Sequence, residues 1–177
     1  VTNTPNSSIT RLVEHTLEAR AGPETSVAAS KTFMAQVIDL YLLGLCLFPP
    51  SIDRLHDLLT ELRLVPAKVQ RVLGMEDRLR DIGKMLAPRE HVYLIAKGIN
   101  YPVALEGALK LKELAYVHAE GYPAGELKHG PFAMLTPETP VIALVPKDRN
   151  YTRMLNAIKE IRARGAPVIA ITDTDDD

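Results

Sequence analysis

The chain has 177 residues, of which 46% are hydrophobic and 24% charged, and its formal net charge is -1. That is ordinary globular composition, long enough to bury a core as one large domain or two small ones, and with no basic run it argues against nucleic acid or an acidic membrane surface as partner. A single cysteine, Cys46, leaves no disulfide within the chain and fits a reducing, cytoplasmic setting; no stretch is long and apolar enough for a membrane span, and the first residues lack a basic-then-apolar signal.

In chain order, residues 1–29 are mixed, with a short strand expected over 15–21 and then the loop AGPETSVAAS. A helical pattern runs over 30–48 and stops at Pro49 and Pro50. Its apolar part, 37–48, is broken only by Asp39, which predicts a buried helix with Cys46 as a small core residue. Residues 51–87 read as amphipathic helices, SIDRLHDLLTELRLV, PAKVQRVLG and MEDRLRDIGKML. Ser51 suits an N-cap there and Gly74 a stop.

After Pro88 the period changes. VYLIAKG (92–98), PVIALVP (140–146) and PVIAITD (167–173) are short apolar runs bounded by turn residues, and helical patterns lie between them at 101–118 and 149–164. Strands alternating with helices predict an α/β fold built on a parallel sheet flanked by helices. Neither a GxGxxG nor a Walker sequence is present, so a nucleotide cofactor has no support. The histidines and acids are too scattered for a metal site, with no HxxxH or CxxC. Ligands of open parallel sheets bind at the carboxyl ends of the strands. The first of these strands ends at 97–100, directly before the most informative stretch of the chain.

That stretch is YPVALEGALKLKELAYVHAEGYPAGELKHGP, residues 101–131. Glu106, Lys110 and Glu113 fall at i, i+4 and i+7 and so share a helix face. A Glu and a Lys so spaced often do no more than solvate a surface. Glu113, however, is flanked by Leu111, Leu114 and Ala115, and partial burial would make it a useful general base. Gly121, Pro123, Gly125 and Gly130 with Pro131 then break the chain around Glu126 and His129. A loop histidine whose charge switches near neutral pH suits acid–base work. His118 is expected near the helix end, complementing its dipole, while His15, His56 and His91 have no supporting neighbours. From the residues alone, proton-transfer chemistry and a solvated charged face both stay open.

Taken together, EGALKLKELAYVHAEGYPAGELKHGP and AGPETSVAASKTF resemble the isomerase half of the glutamine–fructose-6-phosphate aminotransferase family, which consists of two tandem sugar isomerase (SIS) domains. The resemblance covers most of the chain. It implies an SIS-type sheet with flavodoxin-like layering and a helical connecting segment, incomplete at both ends. Residues 1–45 would be the end of the first SIS domain, 46–90 the connection and 91–177 most of the second. The N-terminal VTN, resembling the end of a strand, and the acidic close of PVIAITDTDDD fit a piece of a longer protein.

The resemblance also implies roles. Glu113 is the expected base that moves a proton between C1 and C2 of an open-chain sugar phosphate, with Lys110 steadying the enediol-like charge and Glu106 holding Lys110. His129 is expected to open the sugar ring in the site of a neighbouring subunit, which implies a homodimer. Val27, through its backbone, and Ala29 are expected to touch the sugar, and the amine is expected to come from a glutaminase domain of the parent chain. Ala29 and Ser30 stand where the family has Ser and Thr, which weakens the contact at 29. The family's phosphate loop and its C-terminal lysine fall outside 1–177, so the fragment by itself is expected to be inactive. Two alternatives stay open: an amidotransferase-free phosphosugar isomerase or deaminase with two SIS domains, using the same Glu113 and His129, and a non-catalytic module that senses phosphosugars, in which the acid–base set is dispensable.

Overall fold

The computed structural model describes residues 1–174, so most of the acidic tail, at 175–177, lies outside the described residues. The chain divides into two compact units, Val1–Glu76 and Asp77–Asp177.

In the first unit the strand expected over 15–21 is reduced to one isolated parallel bridge between Thr2 and Glu18. The Thr2 N–H donates to the Leu17 carbonyl and the Ala19 N–H to the Thr2 carbonyl, each at 2.9 Å. α1 (Lys31–Leu47) and α2 (Ile52–Leu73) follow. Pro66 lies inside α2, so the first two amphipathic segments form one helix; the ring removes one backbone donor without ending the helix. Contrary to expectation, α1 has no buried residue, and Leu40, Tyr41, Phe48 and Cys46 are exposed. α2 flanks only part of it, the two helices bounding an apolar groove lined by Leu40, Leu45, Leu58 and Leu62.

α3 (Glu76–Leu86) leads into the second unit. There β1 (His91–Ala96), β2 (His118–Pro123), β3 (Val141–Leu144) and β4 (Val168–Ile171) form a parallel sheet in the order β2-β1-β3-β4. α4 (Tyr101–Ala115) joins β1 to β2, and α5 (Tyr151–Ala163) joins β3 to β4. β1 is buried from Val92 to Ala96, as its unbroken apolar run requires of a strand covered on both faces. Val92, Leu94 and Ala96 pack with Ala104 and Ala108 of α4, whereas Tyr93 and Ile95 pack with Met154 and Ile161 of α5. Because alternate residues of a strand point to opposite faces, the two helices cover opposite sides of the sheet. The expected parallel α/β layering is therefore the fold observed.

Small residues set α4 close to the sheet. A Cβ on Gly121 of β2 would stand 2.9 Å from Leu105 Cδ2 and 3.1 Å from Leu105 Cα, and one on Gly107 would stand 2.8 Å from Leu94 Cδ2. β2 itself, HAEGYP, reads poorly as a strand. It forms because it lies at the sheet edge, paired with β1 from His118 opposite His91 to Pro123 opposite Ala96, where a terminal proline and polar residues are tolerated. α4 stops at Ala115, short of the expected 118, since Tyr116 turns into the left-handed region at φ 55°. His118 consequently begins β2 instead of ending the helix.

Candidate active site

Along α4, the i, i+4, i+7 spacing brings Glu106, Lys110 and Glu113 together. The Lys110 ammonium lies 2.5 Å from Glu113 Oε2 and 3.3 Å from Glu106 Oε1. Their side chains are 24%, 23% and 26% exposed for Lys110, Glu106 and Glu113. That is too covered for a fully solvated surface pair and too open for a core ion pair. Lys110 is held above the ordinary lysine pKa, chiefly by its hydrogen bond to Glu113 and further by Glu106. It is therefore a cation at neutral pH, able to stabilise developing negative charge but not to accept a proton. Of the three side chains, only the carboxylates could accept a proton.

The face does not lie at the carboxyl edge of the sheet. Tyr101 opens α4 beside that edge, and Glu113 comes twelve residues later, about 18 Å along the axis at 1.5 Å per residue. The edge itself is built from other groups. Gly98, at φ +62°, packs so tightly that a Cβ would meet Asn150 Nδ2 at 2.9 Å. Asn100 Nδ2 donates to Asp148 Oδ2 at 3.1 Å, and the Asn150 N–H donates to Asp148 Oδ1 at 2.7 Å.

His129 stands on the exposed turn that follows β2, its N–H donating to the Glu126 carbonyl at 3.0 Å. Ala124 and Leu127 anchor this turn in the core layer that holds α5, the layer opposite α4. Among the described residues, no hydrogen bond joins His129 to Glu106, Lys110 or Glu113.

Val27 and Ala29 belong to the first unit. Val27 is 96% exposed, Ala29 half-buried and Ala28 between them buried. Their loop is organised by Glu24, a residue the sequence reading passed over. Its carboxylate accepts from the Thr32 hydroxyl at 2.6 Å and from the backbone N–H groups of Thr32 and Ser30 at 3.0 and 3.3 Å. It thus caps α1 from outside the helix. These bonds, the Thr32 hydroxyl first, lower the Glu24 pKa to about 2. The signal was present as a carboxylate a few residues ahead of a Ser-Lys-Thr helix start.

A second polar group was also missed. His91 and His118 approach at 3.0 Å between their Nδ1 atoms, and His118 Nε2 lies 3.4 Å from Glu120 Oε1. Tyr122 donates to Glu120 Oε2 at 2.7 Å, and that bond leads the rise of its pKa to about 12. The pairing of β2 with β1 brings His91 to His118, while His118, Glu120 and Tyr122 share one face of β2. Among the described residues no group of three or more His, Cys, Asp or Glu is placed to hold a metal ion.

A parallel sheet with helices on both faces defines a layered α/β domain, and residues 85–177 match the SIS domain family. The chain belongs to that family. It is 45% identical over 180 residues to the glutamine–fructose-6-phosphate aminotransferase [isomerizing] of Methanosarcina acetivorans, covering 99% of this chain and 29% of that protein. The protein of the same name from Mycolicibacterium smegmatis is 44% identical over 188 residues, 100% of this chain and 30% of its own length. This chain therefore spans less than a third of these relatives. Among solved structures, the C-terminal domain of glucosamine-fructose-6-phosphate aminotransferase from Francisella tularensis superposes with a TM-score of 0.93 at 35% identity, over 96% of this chain and 49% of that one. The tagatose-6-phosphate ketose/aldose isomerase of Escherichia coli, at a TM-score of 0.67 and 22% identity over 86% of this chain and 41% of its own, shares the fold. Among the described residues, no helix is long and apolar enough to cross a membrane.

Proposed function

We propose that this chain is part of the isomerase region of an enzyme that converts fructose 6-phosphate and glutamine to glucosamine 6-phosphate and glutamate, and that α4 carries its proton-transfer group. The observation that carries this reading is the ammonium of Lys110 held between Glu113 and Glu106. Glu113 takes the proton from one of C1 and C2 of the open-chain sugar. The electron pair left behind moves onto the heteroatom of the neighbouring carbon, giving an enediol-like intermediate whose negative charge faces the Lys110 ammonium. The hydroxyl proton on the first carbon then passes to that heteroatom, and Glu113 returns the carbon proton to the other carbon as the new carbonyl forms. One positioned base and one fixed cation meet the demand of an aldose–ketose shift. Glu106 keeps Lys110 on that face when Glu113 is protonated.

His129 opens the sugar ring, acting in the site of a second subunit. Its turn is anchored in the sheet layer opposite α4, which favours a role in a neighbouring site over one in its own. Val27 and Ala29 contact the sugar from the loop that Glu24 organises. Residues 1–45 form the end of a first SIS domain, 46–90 a helical connection and 91–177 most of the second. The parent supplies ammonia from a glutaminase domain, works as a homodimer in the cytoplasm, and provides the phosphate grip that completes the site. The uncovered apolar side of α1 supports this reading, since a contiguous exposed apolar surface commonly marks an interface.

The test is conversion of fructose 6-phosphate to glucosamine 6-phosphate by the full-length protein carrying Lys110→Met or His129→Ala. A fall in turnover of roughly a hundredfold or more for Lys110→Met is expected. For His129→Ala the loss should be largest with the cyclic sugar. Wild-type turnover in both variants contradicts the assignment.

A further inference from the structure

Past β2, residues 124–128 and the flank of α5 line an open cavity of about 190 Å³. Its walls include Lys97, Gly125, Lys128, Arg153, Asn156 and Glu160. Arg153, Asn156 and Glu160 recur at i, i+3 and i+7, so one stripe of α5 forms a wall. Lys97 follows directly on β1 at the carboxyl edge of the sheet. Its ammonium packs over Gly125, where a Cβ would lie 3.6 Å from Lys97 Nζ.

Three cations thus face one carboxylate. Glu160 is engaged by Lys128 at 2.8 Å, and Lys97 and Arg153 have no carboxylate partner among the described residues. Uncompensated positive charge around a concave site concentrates anions. Size narrows the class of anion: pockets for drug-sized ligands run to roughly 300–1,000 Å³, while 190 Å³ equals the liquid volume of about six waters. A phosphate-sized oxyanion fits that volume. An arginine fork, two lysines and an asparagine amide are the donors such an oxyanion takes.

We propose that this cavity binds a phosphoryl-type dianion, at a site separate from the acid–base face of α4. Lys128 immediately precedes His129, and its pair with Glu160 is about half exposed on both sides, hence weak and easily exchanged. An anion in the cavity draws Lys128 from Glu160 and fixes the turn that carries His129. This last consequence rests on the proposed role of His129; the binding itself does not.

The experiment titrates this 177-residue chain, isotopically labelled, with inorganic phosphate at pH 7.5, followed by amide NMR at constant ionic strength. Saturable shifts are expected at residue 97, over 124–129 and over 153–160, with half-saturation in the millimolar range and displacement by sulfate. Combining Lys97→Gln with Arg153→Gln is expected to weaken binding about tenfold or more, the loss of roughly 1.4 kcal/mol per tenfold change. Lys112→Gln, on the exposed side of α4, and Lys110→Met should leave it unchanged. Arg153→Lys, which keeps the charge and loses the fork, should weaken it severalfold. Shifts that never saturate, that persist undiminished in the well-dispersed spectrum of the double variant, or that centre on α4 and vanish with Lys110→Met overturn the proposal. If binding follows the cavity variants while His129→Ala leaves sugar turnover intact, the anion site stands and the role of His129 falls.

Discussion

The ammonium of Lys110 donates to Glu113 at 2.5 Å, one turn along α4, and this hydrogen bond leads the rise of the lysine pKa. Cation and carboxylate thereby take distinct parts. The lysine stays charged; in the proposed mechanism it faces developing negative charge while the carboxylate moves the proton.

Lys110→Met in the full-length protein keeps the length and apolar stem of the side chain and removes the charge. Turnover is expected to fall by about 10² to 10³, the range for losing one preorganised electrostatic donor, with a smaller change in KM. A loss confined to KM would indicate that Lys110 binds substrate and transition state equally.

Gly121→Ala is expected to destabilise the second unit by about 1–3 kcal/mol, the usual cost of overpacking, measured by urea unfolding. The reason is the 3.1 Å approach its Cβ would make to the Leu105 backbone. Gly107→Ala should cost less, since its Cβ meets only the end of the Leu94 side chain. Equal costs would mean that α4 shifts as a body.

Glu24 has a folded pKa of about 2 against an ordinary value of 4.5. A depressed carboxylate stabilises the folded state above its unfolded pKa, and that contribution is lost as pH falls through the folded one. The first unit should therefore loosen between about pH 4.5 and 2. Exchange of the Ser30 and Thr32 amides, followed by NMR, should quicken across that window. Glu24→Gln should bring the faster exchange to neutral pH; unchanged protection in that variant contradicts the capping role.

How far the sequence carried these conclusions differs by element. β1, β3 and β4 were legible because each is an apolar run bounded by turn residues, and the i, i+4, i+7 pattern placed Glu106, Lys110 and Glu113 on one face before any coordinates. β2 was not, since an edge strand needs no apolar run, and with it went the approach of His91 to His118. The exposure of α1 was hidden for the opposite reason: an apolar helix reads as buried whether or not its covering partner belongs to the same stretch of chain. Pro66 misled because a single lost donor is tolerated inside a long helix. The anchoring of His129 opposite α4 depends on which sheet face Ala124 and Leu127 take, a property of pairing that no local pattern encodes.

The central claim is that the Glu113 carboxylate moves the proton between C1 and C2. The most direct measurement runs the full-length protein with fructose 6-phosphate and glutamine in deuterium oxide, following turnover and deuterium at those carbons by NMR, for wild type and Glu113→Gln. The account predicts that Glu113→Gln lowers isomerisation and deuterium entry together by about 10² to 10⁴, while sugar-phosphate binding persists. Near wild-type isomerisation in Glu113→Gln would contradict it.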